Sequence, residues 1–302
     1  MFALILSKEH IQLAKAEIIA LSKTTTISEN ETKDIIFLKE SFPFERLTLT
    51  QEVYESKESF EKTLPYNTEI TIKRFQYSTS SPEFQKVALE CKNKNNSFNL
   101  RSPKETYGLI KKNTDFFFGK RIFLNKKEFL QRDPKKRPGF HPGACTAKFA
   151  KILVNLSGVL KGKILDPFCG TGGILIEGHF AGLDIFGVDL SNDMIKKTKV
   201  NCSTYKIPAK ITQKNALEKS TYTQQYDAIV TEVPFGKTTI LDRSISSLVE
   251  EFLIVAKDFT QTIVLSLPKE TEIAIKEFRI DVDETWYIHK SLSKRILVLK
   301  KQ

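Results

Sequence analysis

The segment that most constrains this chain is KILDPFCGTGG, which covers residues 163–173. In it a short apolar run ends in an acid, and a glycine-rich turn leads into further apolar residues. The run has the length of a buried strand, and its glycines allow a backbone with positive φ before a helix begins. In an open α/β sheet, ligands bind at the carboxyl ends of strands, which is where such a turn lies.

The spacing of these glycines excludes two common nucleotide-binding loops. It is not G-x-G-x-x-G, and it is not a P-loop, because no lysine follows the glycines to hold a phosphate. The turn is therefore predicted to bind another kind of ligand. A tight strand-to-helix turn without a ligand is the alternative interpretation.

From about residue 140 onwards, segments with the patterns of strands and helices alternate along the chain. Strands are expected at residues 164–166, 186–189, 209–213, 228–231 and 262–267. Helices are expected around residues 149–156 and at 173–181, 193–205 and 246–259. Such alternation predicts an α/β fold with a mostly parallel, Rossmann-like sheet covered by helices. The last two strands, near residues 285–289 and 295–299, are predicted to form an antiparallel hairpin at one edge.

The first half of the chain has a different organisation, with short strands and few helices. Residues 1–60 are interpreted as a small α+β module and residues 61–120 as a second one. A basic linker follows over residues 121–140, and the α/β domain is expected to occupy residues 141–302. The first residues have too short an apolar run for a secretory signal or a membrane span.

The charge of the chain points to a polyanionic partner. The formal net charge is +11, and residues 111–137 contain ten Lys or Arg against three Asp or Glu, a local charge of +7. A concentrated positive charge attracts nucleic acid, although a solvated charge run is the simpler alternative. The four cysteines form no C-x-x-C pair, which argues against a metal site and favours a reducing cytoplasm.

Two further strand ends carry side chains suited to a nucleoside. Asp189 lies about twenty residues beyond the glycines, where a carboxylate can accept hydrogen bonds from ribose hydroxyls. It could instead only cap the following helix, a role that Ser191 would also fill. At the next strand end, the amide oxygen of Asn215 could accept a hydrogen bond from an adenine amino group.

The fourth strand ends in Glu232, Val233, Pro234 and Phe235, a compact set suited to an exocyclic amine on a base. The carboxylate and a backbone carbonyl can each accept one N–H and so aim the nitrogen lone pair at a methyl sulfonium. An aromatic ring stacked on the base contributes about 1–3 kcal/mol. An ordinary strand-to-loop turn with a buried phenylalanine explains these residues equally well.

Together these segments resemble one family, the THUMP-containing tRNA guanine-N2 methyltransferases, especially the archaeal enzymes that act on guanosine 10. DPFCGTGGILIEG resembles the family's cofactor loop, and RPGFHPG at residues 137–143 resembles its RPFFHPG segment. The resemblance covers nearly the whole chain, closely over residues 137–190 and loosely over residues 1–110, where the second module would be THUMP-like. It implies a Rossmann-like methyltransferase domain and tRNA as the partner.

The resemblance also implies S-adenosylmethionine as the cofactor and assigns roles to single residues. Asp189 would bind the ribose, and Asn215 would lie near the adenine. The other predicted cofactor contacts are Asp166, Phe168, Cys169, Gly170, Thr171, Gly172 and His141. Glu232 and the Val233 carbonyl would hold the guanine amino group, with Phe235 stacked on the base. The predicted tRNA contacts in the basic region are Lys120, Arg121, Lys135, Lys136 and Arg137.

The chain departs from the family at the predicted catalytic motif. The family has D-P-P-Y or D-P-P-F where this chain has Glu232-Val233-Pro234-Phe235, and the glutamate is one methylene longer than the usual aspartate. A misplacement of ~1 Å can lower a rate about a hundredfold. A catalytically impaired or partner-dependent tRNA-binding homologue is therefore an alternative function, and an amino-methyltransferase acting on DNA is a third. An activating subunit is not excluded.

Overall fold

The computed structural model describes residues 1–57, 59–234, 244–289 and 292–302. Contacts between residues divide the chain into two compact units, Met1–Lys126 and Lys127–Gln302. Each unit is built on its own β-sheet. Among the described residues, no helix combines the length and the apolar character needed to cross a lipid bilayer.

The first unit contains an eight-stranded sheet with the order β2-β3-β1-β4-β8-β7-β5-β6. Its strands are β1 (Phe2–Leu6), β2 (Ser28–Glu29), β3 (Ile35–Leu38), β4 (Thr50–Glu55), β5 (Glu69–Phe75), β6 (Ser97–Phe98), β7 (Glu105–Lys112) and β8 (Asp115–Leu124). Its helices are α1 (Ile11–Ser22), α2 (Phe60–Thr63) and α3 (Pro82–Asn93).

The sheet of the first unit runs through the position where the sequence suggests a boundary between two modules. β4 pairs with β1 on one side and with β8 on the other, so strands from both sides of residue 60 form one sheet. Part of the predicted basic linker also belongs to it, because β8 extends to Leu124. The division into an N-terminal module, a THUMP-like module and a linker stays a prediction.

The second unit contains a seven-stranded sheet with the order β11-β10-β9-β12-β13-β15-β14. Its strands are β9 (Lys163–Asp166), β10 (Asp184–Asp189), β11 (Lys210–Gln213), β12 (Ala228–Glu232), β13 (Thr262–Pro268), β14 (Phe278–His289) and β15 (Leu292–Lys301). Its helices are α4 (Ala147–Leu156), α5 (Gly173–Phe180), α6 (Asn192–Thr204) and α7 (Ile245–Ala256). The predicted fold is confirmed, because β9 to β13 pair in parallel and β15 and β14 form the antiparallel hairpin at one edge.

Side-chain caps and buried apolar residues explain why these helices begin and pack as they do. The hydroxyls of Thr146, Ser191 and Ser244 each accept an N–H from the first turn of the helix that follows, which satisfies a donor that has no partner within the helix. Helix α7 then buries Val249, Phe252 and Leu253 among apolar residues of β9, β12, β13 and β15. A parallel sheet buried in this way shows continuous apolar runs, which is the pattern that the sequence displays.

The strand order brings chemically active residues to one edge. β10 lies on one side of β9 and β12 on the other, so the strand order reverses at β9, the usual location of a ligand crevice. The parallel strands deliver their last residues to this edge, among them Asp166, Asp189 and Glu232. β15 runs in the opposite direction and delivers its first residues there, so that Lys294 pairs with Pro268 at the end of β13.

The segment before α4 is held to the domain by an ion pair. Arg132 donates to both carboxylate oxygens of Glu177 on α5, with an Nε–Oε1 distance of 2.8 Å and an Nη2–Oε2 distance of 2.7 Å. The side chains are only 12% and 1% exposed, and the Arg132 guanidinium also lies 4.0 Å from the ring centroid of Phe180. The basic segment is therefore partly packed into the domain.

We expect Glu177→Ala to lower the free energy of unfolding by about 3–5 kcal/mol, because it leaves a buried guanidinium without its partner. Urea denaturation followed by circular dichroism measures this change. Asp193→Ala, which removes the partner of Lys197 on the surface of α6, is the matched control and should have a much smaller effect. Equal effects of the two substitutions would contradict the expectation.

Candidate active site

The turn between β9 and α5 requires glycine at two positions. Gly170 has φ +51° and Gly172 has φ +83°, a backbone region that side chains disfavour. At Gly172 a Cβ would also approach the Thr198 methyl group to 2.9 Å, whereas at Gly170 it would meet no other described atom within 4 Å. The backbone at Gly170 therefore faces open space, which is what close approach of a ligand needs.

Asp189, at the end of β10, is joined to this turn by hydrogen bonds. Its Oδ2 accepts the Gly170 N–H at 2.8 Å, and its Oδ1 accepts the Ser191 N–H at 2.8 Å. Burial raises the pKa of Asp189, and these two hydrogen bonds oppose that rise. Each oxygen has a further lone pair, so the carboxylate can still accept hydrogen bonds from a ligand.

Asp166, at the end of β9, lies beneath the turn and is only 2% exposed. Its Oδ1 accepts the Thr231 hydroxyl at 2.6 Å and the Phe168 N–H at 3.2 Å. Burial raises its pKa to about 8, and the charges of Asp189 and Glu232 act in the same direction. Its contacts within the protein support the turn, and its predicted contact with a cofactor stays a prediction.

The other predicted cofactor residues lie on or near this edge. Cys169 and Thr171 are buried in the turn, and half-buried Phe168 packs edge-on against Phe252. The Asn215 amide oxygen accepts the Leu217 N–H at 3.1 Å, after the end of β11.

His141 lies in the loop before α4. Its Nδ1 accepts the Gly143 N–H at 3.2 Å. The ring is partly exposed, and its predicted contact with a cofactor stays a prediction.

Glu232, at the end of β12, forms an ion pair with Lys294 of β15. Cys145 lies in the loop before α4, and its thiol donates to the Thr146 carbonyl at 3.6 Å. Burial raises the pKa of this thiol, and the negative charge of Glu232 raises it further. Val233 is fully buried and donates its N–H to the Ser266 carbonyl. Pro234 is half-buried, and Phe235 lies outside the described residues.

A sequence family described as "UPF0020: RMKL-like, methyltransferase domain" matches residues 134–292, more than half of the 302 residues. The chain belongs to this family. The matched region thus covers the glycine turn and the ends of β9 to β13, and it ends two residues before Lys294. The fold agrees: the structure of TrmN from Thermus thermophilus aligns with 100% of this chain and 99% of that one, at 15% identity and a TM-score of 0.50.

Curated relatives of this methyltransferase occur in archaea. The chain is 32% identical over 218 residues to the tRNA (guanine(10)-N2)-dimethyltransferase of Methanocaldococcus jannaschii, a match that covers 68% of the chain and 61% of the relative. It is 36% identical over 164 residues to a Methanothermococcus thermolithotrophicus protein named "Probable tRNA (guanine(10)-N2)-dimethyltransferase", covering 51% and 98%. The corresponding Methanothermobacter thermautotrophicus enzyme is 40% identical over 126 residues, covering 41% and 38%. The chain thus spans less than two thirds of the first and third of these relatives.

The residues predicted to bind tRNA fall into different environments in the methyltransferase. Lys135 and Lys136 are exposed, whereas Lys120 and Arg121 form ion pairs with Glu105 and Glu52 in the first unit. The fifth residue, Arg137, is buried.

Arg137 is only 3% exposed, and its Nε donates to the Arg132 carbonyl at 2.7 Å. Its guanidinium lies beside Gly173 at the start of α5, so a phosphate on the surface cannot reach it. This burial does not fit the predicted contact with RNA. The pattern of charge along the sequence did not show that the segment packs on the domain at this residue.

Lys294 and Cys145 are site residues that the sequence did not indicate. Lys294 is one of 47 lysines and arginines and belongs to no motif. It reaches Glu232 only through the pairing of β15 with β13, which local patterns do not reveal. Within the described parts of the chain, no group of three His, Cys, Asp or Glu side chains is placed to hold a metal ion.

The buried Asp166 carboxyl predicts a dependence of stability on pH. Its pKa in the folded protein, about 8, lies above its ordinary value of 3.8, so between these pH values the folded state retains a proton that the unfolded state loses. The free energy of unfolding should therefore fall as pH rises from about 5 to about 8 and level off above that. The expected fall exceeds about 1.4 kcal/mol, the equivalent of one pKa unit.

Urea denaturation at a series of pH values measures this fall, and Asp166→Asn should flatten it because the amide does not titrate. Asp184→Asn, at the exposed opposite end of β10, is the control and should keep the wild-type profile. A profile of Asp166→Asn as steep as that of the wild type would show that Asp166 is not responsible.

Proposed function

We propose that this protein transfers a methyl group from S-adenosylmethionine to the exocyclic N2 amine of a guanine in tRNA. The observation that carries the proposal is the placement of Glu232, whose carboxylate stands on the edge that also carries the glycine turn and Asp189. The names of the relatives from M. jannaschii and M. thermolithotrophicus favour this substrate, and they favour position 10.

The residues around the glycine turn suit this cofactor. The open space at Gly170 allows close approach to the backbone, and the Asp189 carboxylate can accept hydrogen bonds from two ribose hydroxyls. The Asn215 amide oxygen has one lone pair beyond its bond to Leu217, which suits an adenine amino group. When bound, the cofactor supplies an electrophilic methyl group on a sulfonium.

Glu232 and Val233 would prepare the guanine amine for attack. The N2 lone pair is conjugated with the guanine ring. It becomes available for attack on the methyl group when the two N–H groups are held out of the plane of the ring. The Glu232 carboxylate and the Val233 carbonyl can each accept one N–H. A cofactor held at the glycine turn and Asp189 would supply the methyl group for an in-line displacement. The N–C bond would form as the S–C bond breaks, and the amine proton would pass to Glu232 or to water. Orientation of this kind accounts for large rate effects without a covalent enzyme intermediate.

A second candidate function is binding of tRNA with little or no methyl transfer. The specific observation in its favour is that the Glu232 carboxylate, which replaces the aspartate of the family that the sequence resembles, already forms an ion pair with Lys294. In that case an activating subunit would be needed to release the Glu232 carboxylate from its ion pair. The free thiols of all four cysteines suit a reducing compartment, and we propose the cytoplasm as the site of action for either function.

We expect the purified protein to form N2-methylguanosine or its dimethylated form in an unmodified tRNA transcript supplied with labelled S-adenosylmethionine. Nucleoside analysis after digestion identifies the product. Glu232→Gln should lower the rate by at least about a hundredfold, because the charged acceptor of the amine is lost. Glu277→Gln, on an exposed carboxylate paired with Lys257, is the control. Binding of tRNA and cofactor without any methylated nucleoside would favour the second candidate function.

The exposed pair Lys135 and Lys136 provides a separate test of tRNA binding. We expect Lys135→Gln combined with Lys136→Gln to weaken tRNA binding and to lower the slope of log affinity against log salt by about 2, one for each lost phosphate contact. Filter binding at several salt concentrations measures both effects. Lys161→Gln with Lys276→Gln removes the same charge from exposed positions near the opposite edge of the sheet. Equal losses of tRNA affinity in the two double variants would show that binding depends on net charge and not on contacts made by Lys135 and Lys136.

A further inference from the structure

Lys294 is a buried cation placed directly against the proposed catalytic carboxylate. Its side chain is 9% exposed and that of Glu232 is 13% exposed, and the two form an ion pair. We infer that Lys294 is a positioning residue for Glu232, holding one carboxylate oxygen so that the carboxylate meets the substrate amine in a single orientation. This inference rests on the proposed function and assigns a new residue to it.

The register of the sheet explains why these two side chains meet. Glu232 lies opposite Ser266 on β13, and Ser266 lies opposite Ile296 on β15. Residues opposite each other, or two apart on one strand, share a face of the sheet. Lys294 is two residues before Ile296, so it shares the face of Glu232 and reaches it diagonally across β13. The ion pair is therefore determined by strand register and does not depend on a flexible loop.

The surroundings of Lys294 restrict its ammonium group to this place. The Nζ atom lies 4.6 Å from the ring centroid of Phe149 on α4, and that ring in turn packs at 5.2 Å against Trp286 of β14. A cation over an aromatic face is attracted to it, more strongly where water is excluded. One ring and a carboxylate thus contact the amine, and Trp286 packs against that ring. These contacts limit the freedom that a long lysine side chain otherwise has.

The two oxygens of Glu232 are not equivalent. Oε1, the oxygen that pairs with Lys294, exposes less than 1 Å². The remaining exposure of the Glu232 side chain therefore belongs to its other atoms. Because a carboxylate offers about four lone-pair sites on two oxygens, it can keep its bond to Lys294 while it accepts an N–H from a substrate.

The length of Glu232 makes such a restraint necessary. Glutamate has one more rotatable bond than the aspartate found here in the tRNA guanine-N2 methyltransferases that the sequence resembles. Its carboxylate can therefore occupy more positions. An error of ~1 Å at a reacting group can lower a rate about a hundredfold. The Lys294 ion pair removes that freedom and lets the longer side chain present its carboxylate in one place.

The test compares Lys294→Met, Lys294→Arg and Lys300→Met in the tRNA methylation assay. Lys300 is the matched control, because it lies on the same strand and its Nζ donates to the Thr262 hydroxyl, away from Glu232. We expect Lys294→Met to lower kcat about a hundredfold. The KM for tRNA and the affinity for S-adenosylhomocysteine, measured by calorimetry, should stay within about twofold, because the restraint acts on the attack and not on binding.

Rescue by a second cation separates positioning from a merely structural role. Lys294→Arg should recover at least about a tenth of the wild-type kcat, since a guanidinium can also bind the carboxylate. Combining Glu232→Gln with Lys294→Met should lower kcat no further than Glu232→Gln alone, because the two residues act as a unit. If Lys294→Met does not fold, Lys294→Gln replaces it, since it removes the charge but keeps a polar group.

The possible outcomes distinguish this inference from the proposed function. A wild-type protein that transfers no methyl group would overturn both. An active wild type with a Lys294→Met kcat within about threefold of it would overturn only the role of Lys294. A loss matched by Lys300→Met, or one explained by weaker cofactor binding, would also overturn that role.

Discussion

The hydrogen bond from the Gly170 N–H to the Asp189 carboxylate is the interaction on which the rest of the site depends. It joins the turn after β9 to the end of β10, and the Thr198 hydroxyl joins the same turn to α6 by donating to the Gly170 carbonyl. The left-handed backbone at Gly170 and Gly172 is what permits these contacts. Because both strand ends are held in this way, the Asp189 carboxylate is fixed in one orientation by contacts within the protein.

Because β15 runs antiparallel to its neighbour, it brings a cation to an edge where the parallel strands end in acids. Parallel strands bring their final residues to the edge, and here three of these are the acids Asp166, Asp189 and Glu232. An antiparallel strand brings its first residues to the same edge, so the hairpin adds the cation of Lys294 beside Glu232. The C-terminal hairpin therefore contributes chemistry as well as covering the edge of the sheet. The pairing of β15 with β13 determines which residue of β15 lies at this edge, and that residue is Lys294.

Local patterns in the sequence predicted the second unit well because its signals are local. A buried strand followed by a glycine turn identifies β9 and α5, and the same argument placed Asp189 at the next strand end. Features that depend on long-range pairing were not visible: the pairing of β4 with β8 across residue 60, and that of Lys294 with Glu232 across β13. The burial of Arg137 was missed for a related reason, since a run of positive charge does not show which residue packs inward.

The carboxyl groups of Asp166, Asp189 and Glu232 lie at this edge. The negative charge of each is removed or stabilised in a different way. Asp166 is buried, and its pKa of about 8 keeps it largely protonated near neutral pH. Asp189 accepts two backbone N–H groups, and Glu232 is paired with Lys294. The negative charge of the edge is thus concentrated on Asp189 and Glu232, the two acids with exposed surface. A cofactor held at Asp189 and an amine held at Glu232 would then meet above β9, where the strand order reverses, and the hidden proton on Asp166 keeps a third charge from repelling the other two.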